Sequence, residues 1–141
     1  MINAIETAVA KTECIDAVTR FFGHYDRREY PQMYALMTPD AVWYRPDGPV
    51  RVGPELEAAM AKRVANLVVS HLITNLVADV AGDTGSVRGL MTVFRDDNGK
   101  LAKGPAKLSG PGSLIDFTVG FRKLGADWRI QRIDVTYLFK A

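Results

Sequence analysis

Val69-Ser-His-Leu-Ile-Thr-Asn75, continuing through Leu-Val-Ala-Asp-Val-Ala81, decides how this chain is read. From Val68 to Val80 the run is rich in β-branched and aliphatic residues and contains neither Pro nor Gly. It stops at Gly82-Asp83-Thr84-Gly85, a turn signal, so the stretch predicts a β-strand ending in a hairpin. A side-chain period of two places His71, Ile73, Asn75, Val77 and Asp79 on one face and Leu72, Thr74, Leu76, Ala78 and Val80 on the other. The polar His71 and Asn75 then point the same way. Each needs a hydrogen-bond partner, so their face borders a partly wet pocket rather than a uniformly dry core.

Working outward, Ser86 to Arg95 reads as the return strand of that hairpin. Leu114 to Lys123 and Trp128 to Phe139 read as a second hairpin around Leu124-Gly125-Ala126-Asp127, with Ile115, Phe117, Val119 and Phe121 on one face. Between the hairpins, residues 96–112 form a loop long enough to be either an excursion or a lid. Towards the N-terminus, Ile15, Val18, Phe22 and Tyr25 recur at helical spacing, predicting an amphipathic helix over 12–26. Pro31 suits the first turn of a short helix, Gln32 to Met37, stopped by Thr38-Pro39-Asp40. Ala41 to Arg45 and Val50 to Val52 flank the turn Pro46-Asp-Gly-Pro49 as a short hairpin, and Pro54 to Leu67 reads as a third helix. Helices first and strands last predict an α+β fold, a curved antiparallel sheet around N-terminal helices, in a single domain spanning 1–141.

Composition narrows the function. The chain is 48% hydrophobic and 24% charged with a formal net charge of +2, and its basic residues are dispersed, which argues against a nucleic-acid partner. The lone Cys14 excludes an internal disulfide. No stretch reaches the apolar length of a membrane span and the first residues lack a basic leader, so a cytoplasmic protein with no membrane partner is expected. Phosphate-binding glycine loops, HExxH, GxSxG and Cys/His metal spacings are all missing, and two histidines are too few for a histidine-rich metal site. The expectation is therefore chemistry without metal or cofactor, and what remains is proton transfer.

His71 suits that task, because free imidazole titrates near pH ~6.5 and can take and return a proton. Asp26, four residues after Phe22 on the inward helix face, is the best candidate for an orienting carboxylate. Two plainer readings stand beside these: His71 as a core histidine bonded to a backbone carbonyl, and Asp26 as an acceptor for donors in Arg27-Arg28-Glu29. His24, beside a helix end, reads as a solvated histidine favoured by the helix dipole.

Several segments carry a family resemblance in order: Phe21-Phe-Gly-His-Tyr25-Asp26, Tyr34-Ala-Leu-Met-Thr-Pro-Asp40-Ala-Val-Trp-Tyr44, Gly53-Pro-Glu-Leu56, His71-Leu-Ile-Thr-Asn75 and Asp127-Trp-Arg-Ile-Gln-Arg-Ile-Asp134. Together they resemble the SnoaL-like branch of the nuclear transport factor 2-like superfamily over essentially the whole chain. The resemblance implies a cystatin-like cone, a curved sheet wrapped around helices with a pocket inside. In members similar to scytalone dehydratase, an aspartate after the first helix orients a histidine that removes a proton in an elimination. The matching positions here are Asp26 and His71. Tyr25 and Tyr44 match tyrosines that position the substrate. Ser86 to Arg95 carries no second pocket histidine, so that enzyme's substrate is not carried over.

The leading expectation is a cofactor-free lyase or isomerase for a hydrophobic, oxygenated small molecule. His71 and Asp26 are its catalytic pair, and Tyr25, Tyr44, Asn75 and Trp43 its substrate-binding residues. The alternative is a non-catalytic ligand-binding or dimerisation module of the same fold. Strands that are apolar on both faces predict a homodimer through the outer face of the sheet.

Overall fold

The computed structural model describes residues 3–97 and 104–141. Helix α1, Ala4–Asp26, starts well before the expected Thr12 because Asn3 and Glu6 form a reciprocal cap: Glu6 N donates to Asn3 Oδ1 at 2.8 Å and Asn3 N to Glu6 Oε2 at 3.1 Å. Its inward stripe buries Cys14, Val18, Phe21, Phe22 and Tyr25. Helix α2, Tyr30–Tyr34, carries Pro31 in its first turn and buries Met33, but ends before the expected Met37.

Met37 instead opens strand β1, Met37–Arg45, so Thr38-Pro39-Asp40 lies inside a strand rather than ending a helix. Strand β1 pairs in parallel with the last strand, and its register shifts between Met37 and Val42. Pro39, which has no N–H to give to a ladder, falls in that irregular stretch. Strand β2, Gly48–Arg51, returns beside β1. Helix α3 is Pro54–Ala61, shorter than predicted. Beyond it the chain turns towards β3, and the Arg28 guanidinium takes up its free carbonyls, donating to Val64 O at 2.5 Å and Leu67 O at 3.4 Å.

Strands β3, Val68–Ala81, β4, Thr84–Asp96, β5, Ser113–Leu124, and β6, Asp127–Lys140, complete one six-stranded sheet in the order β2-β1-β6-β5-β4-β3. Every pairing is antiparallel except β1 with β6. The sheet curves around α1, and Phe22 packs its ring 6.0 Å from Phe117 while Phe21 packs 5.4 Å from Trp43. As predicted, Ile115, Phe117, Val119 and Phe121 point into this core. The expected loop or lid is described only in part: residues 98–103 lie outside the described residues, and Gly112 N donates to Val93 O at 2.8 Å.

One predicted alternation breaks in β3. Thr74 pairs with Leu90 and Val77 with Arg88, which leaves Asn75 and Leu76 together opposite Gly89. Asn75 adopts φ 57°, a left-handed conformation that asparagine tolerates better than most residues. This bulge reverses the faces. Val69, His71 and Ile73 point inward before it, and Leu76, Ala78 and Val80 after it, while Val77 is exposed rather than sharing His71's face. A strict period of two carried the wrong face across the bulge.

Candidate active site

Asp26 is the last residue of α1, and His71 stands opposite it on β3. The Asp26 carboxylate binds the histidine twice: Oδ2 accepts from His71 N at 2.7 Å, and Oδ1 lies 2.6 Å from His71 Nδ1. Both side chains are largely shielded, at 11% and 16% exposure. A neutral imidazole carries one ring proton, and a carboxylate against Nδ1 places that proton there, leaving Nε2 as the acceptor. The backbone bond fixes Asp26 against the strand that carries the ring, so the two groups keep one geometry. Asp26 therefore draws its donors from His71 and not from the 27–29 turn, while Arg28 is turned towards the 64–67 carbonyls.

His71 lines a cavity of about 610 Å³, enough for a drug-sized molecule. Phe22, Tyr25, Trp43, Met91 and Ile115 supply apolar wall. The rings are in contact: Phe22 and Tyr25 lie 5.7 and 5.4 Å from the imidazole, and Tyr25 lies 5.2 Å from Trp43. Arg63, which also lines the cavity, stacks on Tyr25, its guanidinium carbon 3.9 Å from the ring centroid. It also donates to Tyr25 O at 2.7 Å and Tyr30 Oη at 3.0 Å. The 109–112 segment closes one side of the cavity.

Four of the six residues selected from the sequence, Asp26, His71, Tyr25 and Trp43, meet at this place. The other two do not. Tyr44 follows the inward Trp43 on β1, so the period of two turns it outward, where Arg132 lies over its ring at 4.4 Å. Asn75 sits exposed in the bulge, away from the cavity lining. Arg45, Arg63, Met91 and Arg95 line the cavity without having been selected. Arg45 shares the parity of Trp43, and Arg95 that of Met91, so alternation alone carried the signal for those two. Arg63 lay hidden in a segment predicted as helix. His24 is partly buried and pairs through Nδ1 with Glu29 at 3.2 Å. Among the described residues no group of three or more His, Cys, Asp or Glu side chains is placed to hold a metal, and no helix is long and apolar enough to cross a membrane.

The sequence profile of the SnoaL-like domain matches residues 6–134. The chain belongs to this family. Several solved structures share its architecture. A cystatin-like protein of unknown function from Nostoc punctiforme superposes with a TM-score of 0.76 at 16% identity, over 93% of this chain and 92% of that one. A candidate scytalone dehydratase from Novosphingobium aromaticivorans gives 0.75 at 14% identity, over 97% and 90%. A hexachlorocyclohexane dehydrochlorinase from Novosphingobium barchaimii gives 0.75 at 12% identity, over 95% and 90%. At these identities the likeness carries the nuclear transport factor 2-like cone and not an activity. No curated protein matches this chain in sequence.

Proposed function

We propose that this SnoaL-like protein is a cofactor-free lyase or isomerase with dehydratase-like chemistry, in which His71 removes a proton from carbon. The observation that carries the reading is the Asp26–His71 pair, joined by two hydrogen bonds, at the wall of an open cavity that also presents Phe22, Tyr25 and Trp43. In an elimination, Nε2 takes the proton, the C–H electrons become the new π bond, and the leaving group departs with its own electron pair. Asp26 holds the productive tautomer and stabilises the imidazolium that forms. A hydroxyl leaving group recovers the proton from His71 and departs as water; in an isomerisation the proton returns to another carbon. Tyr25 and Trp43 hold the substrate against the base. Two of the structural relatives bear names of elimination enzymes, a dehydratase and a dehydrochlorinase, which supports the same reaction type.

The test is incubation of the protein in D₂O with a panel of hydroxylated and keto aromatic compounds, read by mass spectrometry. Loss of water, or uptake of one deuterium, that disappears in His71→Ala is the expected result. Equal turnover by wild type and His71→Ala would remove the histidine from the mechanism.

A further inference from the structure

The cavity wall carries more positive charge than an apolar substrate explains. Arg45, Arg63, Arg95 and Lys140 all line it, and no aspartate or glutamate side chain does among the described residues. The acid closest in role, Asp26, has both oxygens engaged by His71. Arg45 and Arg95 lie 3.9 and 3.5 Å from Asp47 and Asp97, pairs at the solvent edge that neutralise little. Arg63 differs from both. Its guanidinium meets only uncharged acceptors, Tyr25 O and Tyr30 Oη, and its Nε–H is buried without an acceptor. Arg63 also lines the adjoining cleft, where Asp47, Glu55 and Asp97 lie, but among the described residues it forms no ion pair with them, so its charge leaves a positive field at the junction that reaches into the cavity.

We propose that the substrate of this cavity is an anion, an apolar oxygenated carboxylic acid whose carboxylate is drawn to Arg63, with Arg45 and Arg95 adding to the attraction. This deepens the reading of His71 as base and rests on it for the identity of the cavity as a substrate site. The placement is chemically useful because Tyr25 is the wall that both ends share: Arg63 stacks on its ring, and the imidazole lies 5.4 Å from the same ring. An acid anchored at Arg63 therefore lies along Tyr25 with its neighbouring carbons towards His71. Carboxylate recognition by a guanidinium fork supplies the orientation that a purely apolar pocket lacks.

The experiment is isothermal titration of the full chain with trans-cinnamate and with its neutral isostere cinnamamide, near neutral pH at low salt. The acid is expected to bind about tenfold tighter or more, the worth of one charge-assisted hydrogen bond. Arg63→Gln is expected to bring the two affinities together. Because Arg63 also braces Tyr25 and Tyr30, Arg45→Gln and Arg95→Gln are titrated alongside; each removes a cation while leaving those braces, and each lowers the preference severalfold. His71→Ala keeps the acid preference, so its lost turnover reports on the base and a lost preference reports on the arginines. Equal binding of acid and amide by wild type, no binding of the acid, or a full acid preference in a folded Arg63→Gln would overturn the proposal.

Discussion

Asp26 grips His71 by ring and by backbone, with one carboxylate oxygen 2.6 Å from Nδ1 and the other 2.7 Å from the peptide nitrogen. The two bonds have different consequences. The backbone bond ties the end of α1 to β3, and the ring bond selects the tautomer. Asp26→Asn keeps an acceptor for one bond but has no charge to stabilise imidazolium, so the fold survives and turnover falls. His71→Ala is expected to lose about 10²–10⁴ in rate, the usual worth of a positioned base. Steady-state rates, with circular dichroism of both variants, check this. Wild-type rates in both would remove the pair from the chemistry.

Phe22 is 2% exposed and touches the rings of Phe21, Trp43, Phe117 and His71, joining the core to the cavity wall. Phe22→Ala is expected to cost about 3–5 kcal/mol, through lost burial and the void that remains. Urea denaturation measures it. A loss below about 1 kcal/mol would mean that the surrounding rings close over the space.

Much of the site was legible because local periodicity is honest where an element is regular. The helical stripe through Val18 and Phe22 carries Asp26 to the inner face, and alternation carries Trp43 and His71 there. What was not legible depends on non-local events. The Asn75 bulge packs Leu76 and the Thr74 carbonyl closely over Gly89 on the neighbouring strand, and no count along β3 reveals it. Helix α3 ends early as the following carbonyls find Arg28, distant in sequence. The misplacement of Tyr44 has a different origin. It came from a motif match, although strand alternation already opposed placing both Trp43 and Tyr44 inside.

The outer face of the sheet bears on association. Val68, Leu72 and Val77 are exposed along β3, and Phe139 is exposed near the end of β6. A second copy of the chain is the partner we propose for this face. Sedimentation at micromolar concentration is expected to show a dimer, and Leu72→Asp to shift it towards monomer by burying a charge at the contact. A monomeric wild type would refute it.

Cys14 is fully buried in α1, and burial, reinforced by Glu13, pushes its thiol from 9.0 up to about 12. Since the thiolate is the reactive form, the native protein is expected to resist maleimide at pH ~8 and to react once unfolded in urea. The linkage has a definite sign. A pKa raised by folding contributes stability that is complete below 9.0 and is lost as pH rises towards 12, where unfolding releases the proton. Cys14→Ala is expected to remove that part of the alkaline loss. Rapid labelling of the folded chain would place the thiol at the surface.

The β3 bulge yields the sharpest structural test, because the residue opposite it has no room to grow. A Cβ built on Gly89 would lie 2.7 Å from Leu76 Cδ2, 2.9 Å from Thr74 O and 3.1 Å from Phe117 Cε1. Leu76 could rotate away, but the Thr74 carbonyl belongs to the backbone that forms the bulge, so relief requires β3 to move. Gly89→Ala is therefore expected to destabilise the fold by about 1–3 kcal/mol, the range for overpacking a filled core. Asn75→Gly, which suits the left-handed φ without a side chain, is expected to be tolerated. Asn75 is the extra residue of the bulge, so with it deleted Thr74, facing outward, is followed directly by Leu76, facing inward, and strict alternation keeps both His71 and Leu76 on the inner face. The Asn75 deletion is therefore expected to be tolerated, with His71 still held by Asp26 and Leu76 and Val80 still facing inward. Chemical denaturation of Gly89→Ala and the Asn75 deletion reads both effects. Wild-type stability in Gly89→Ala, or a heavy loss on deleting Asn75, would mean that β3 does not bulge over Gly89.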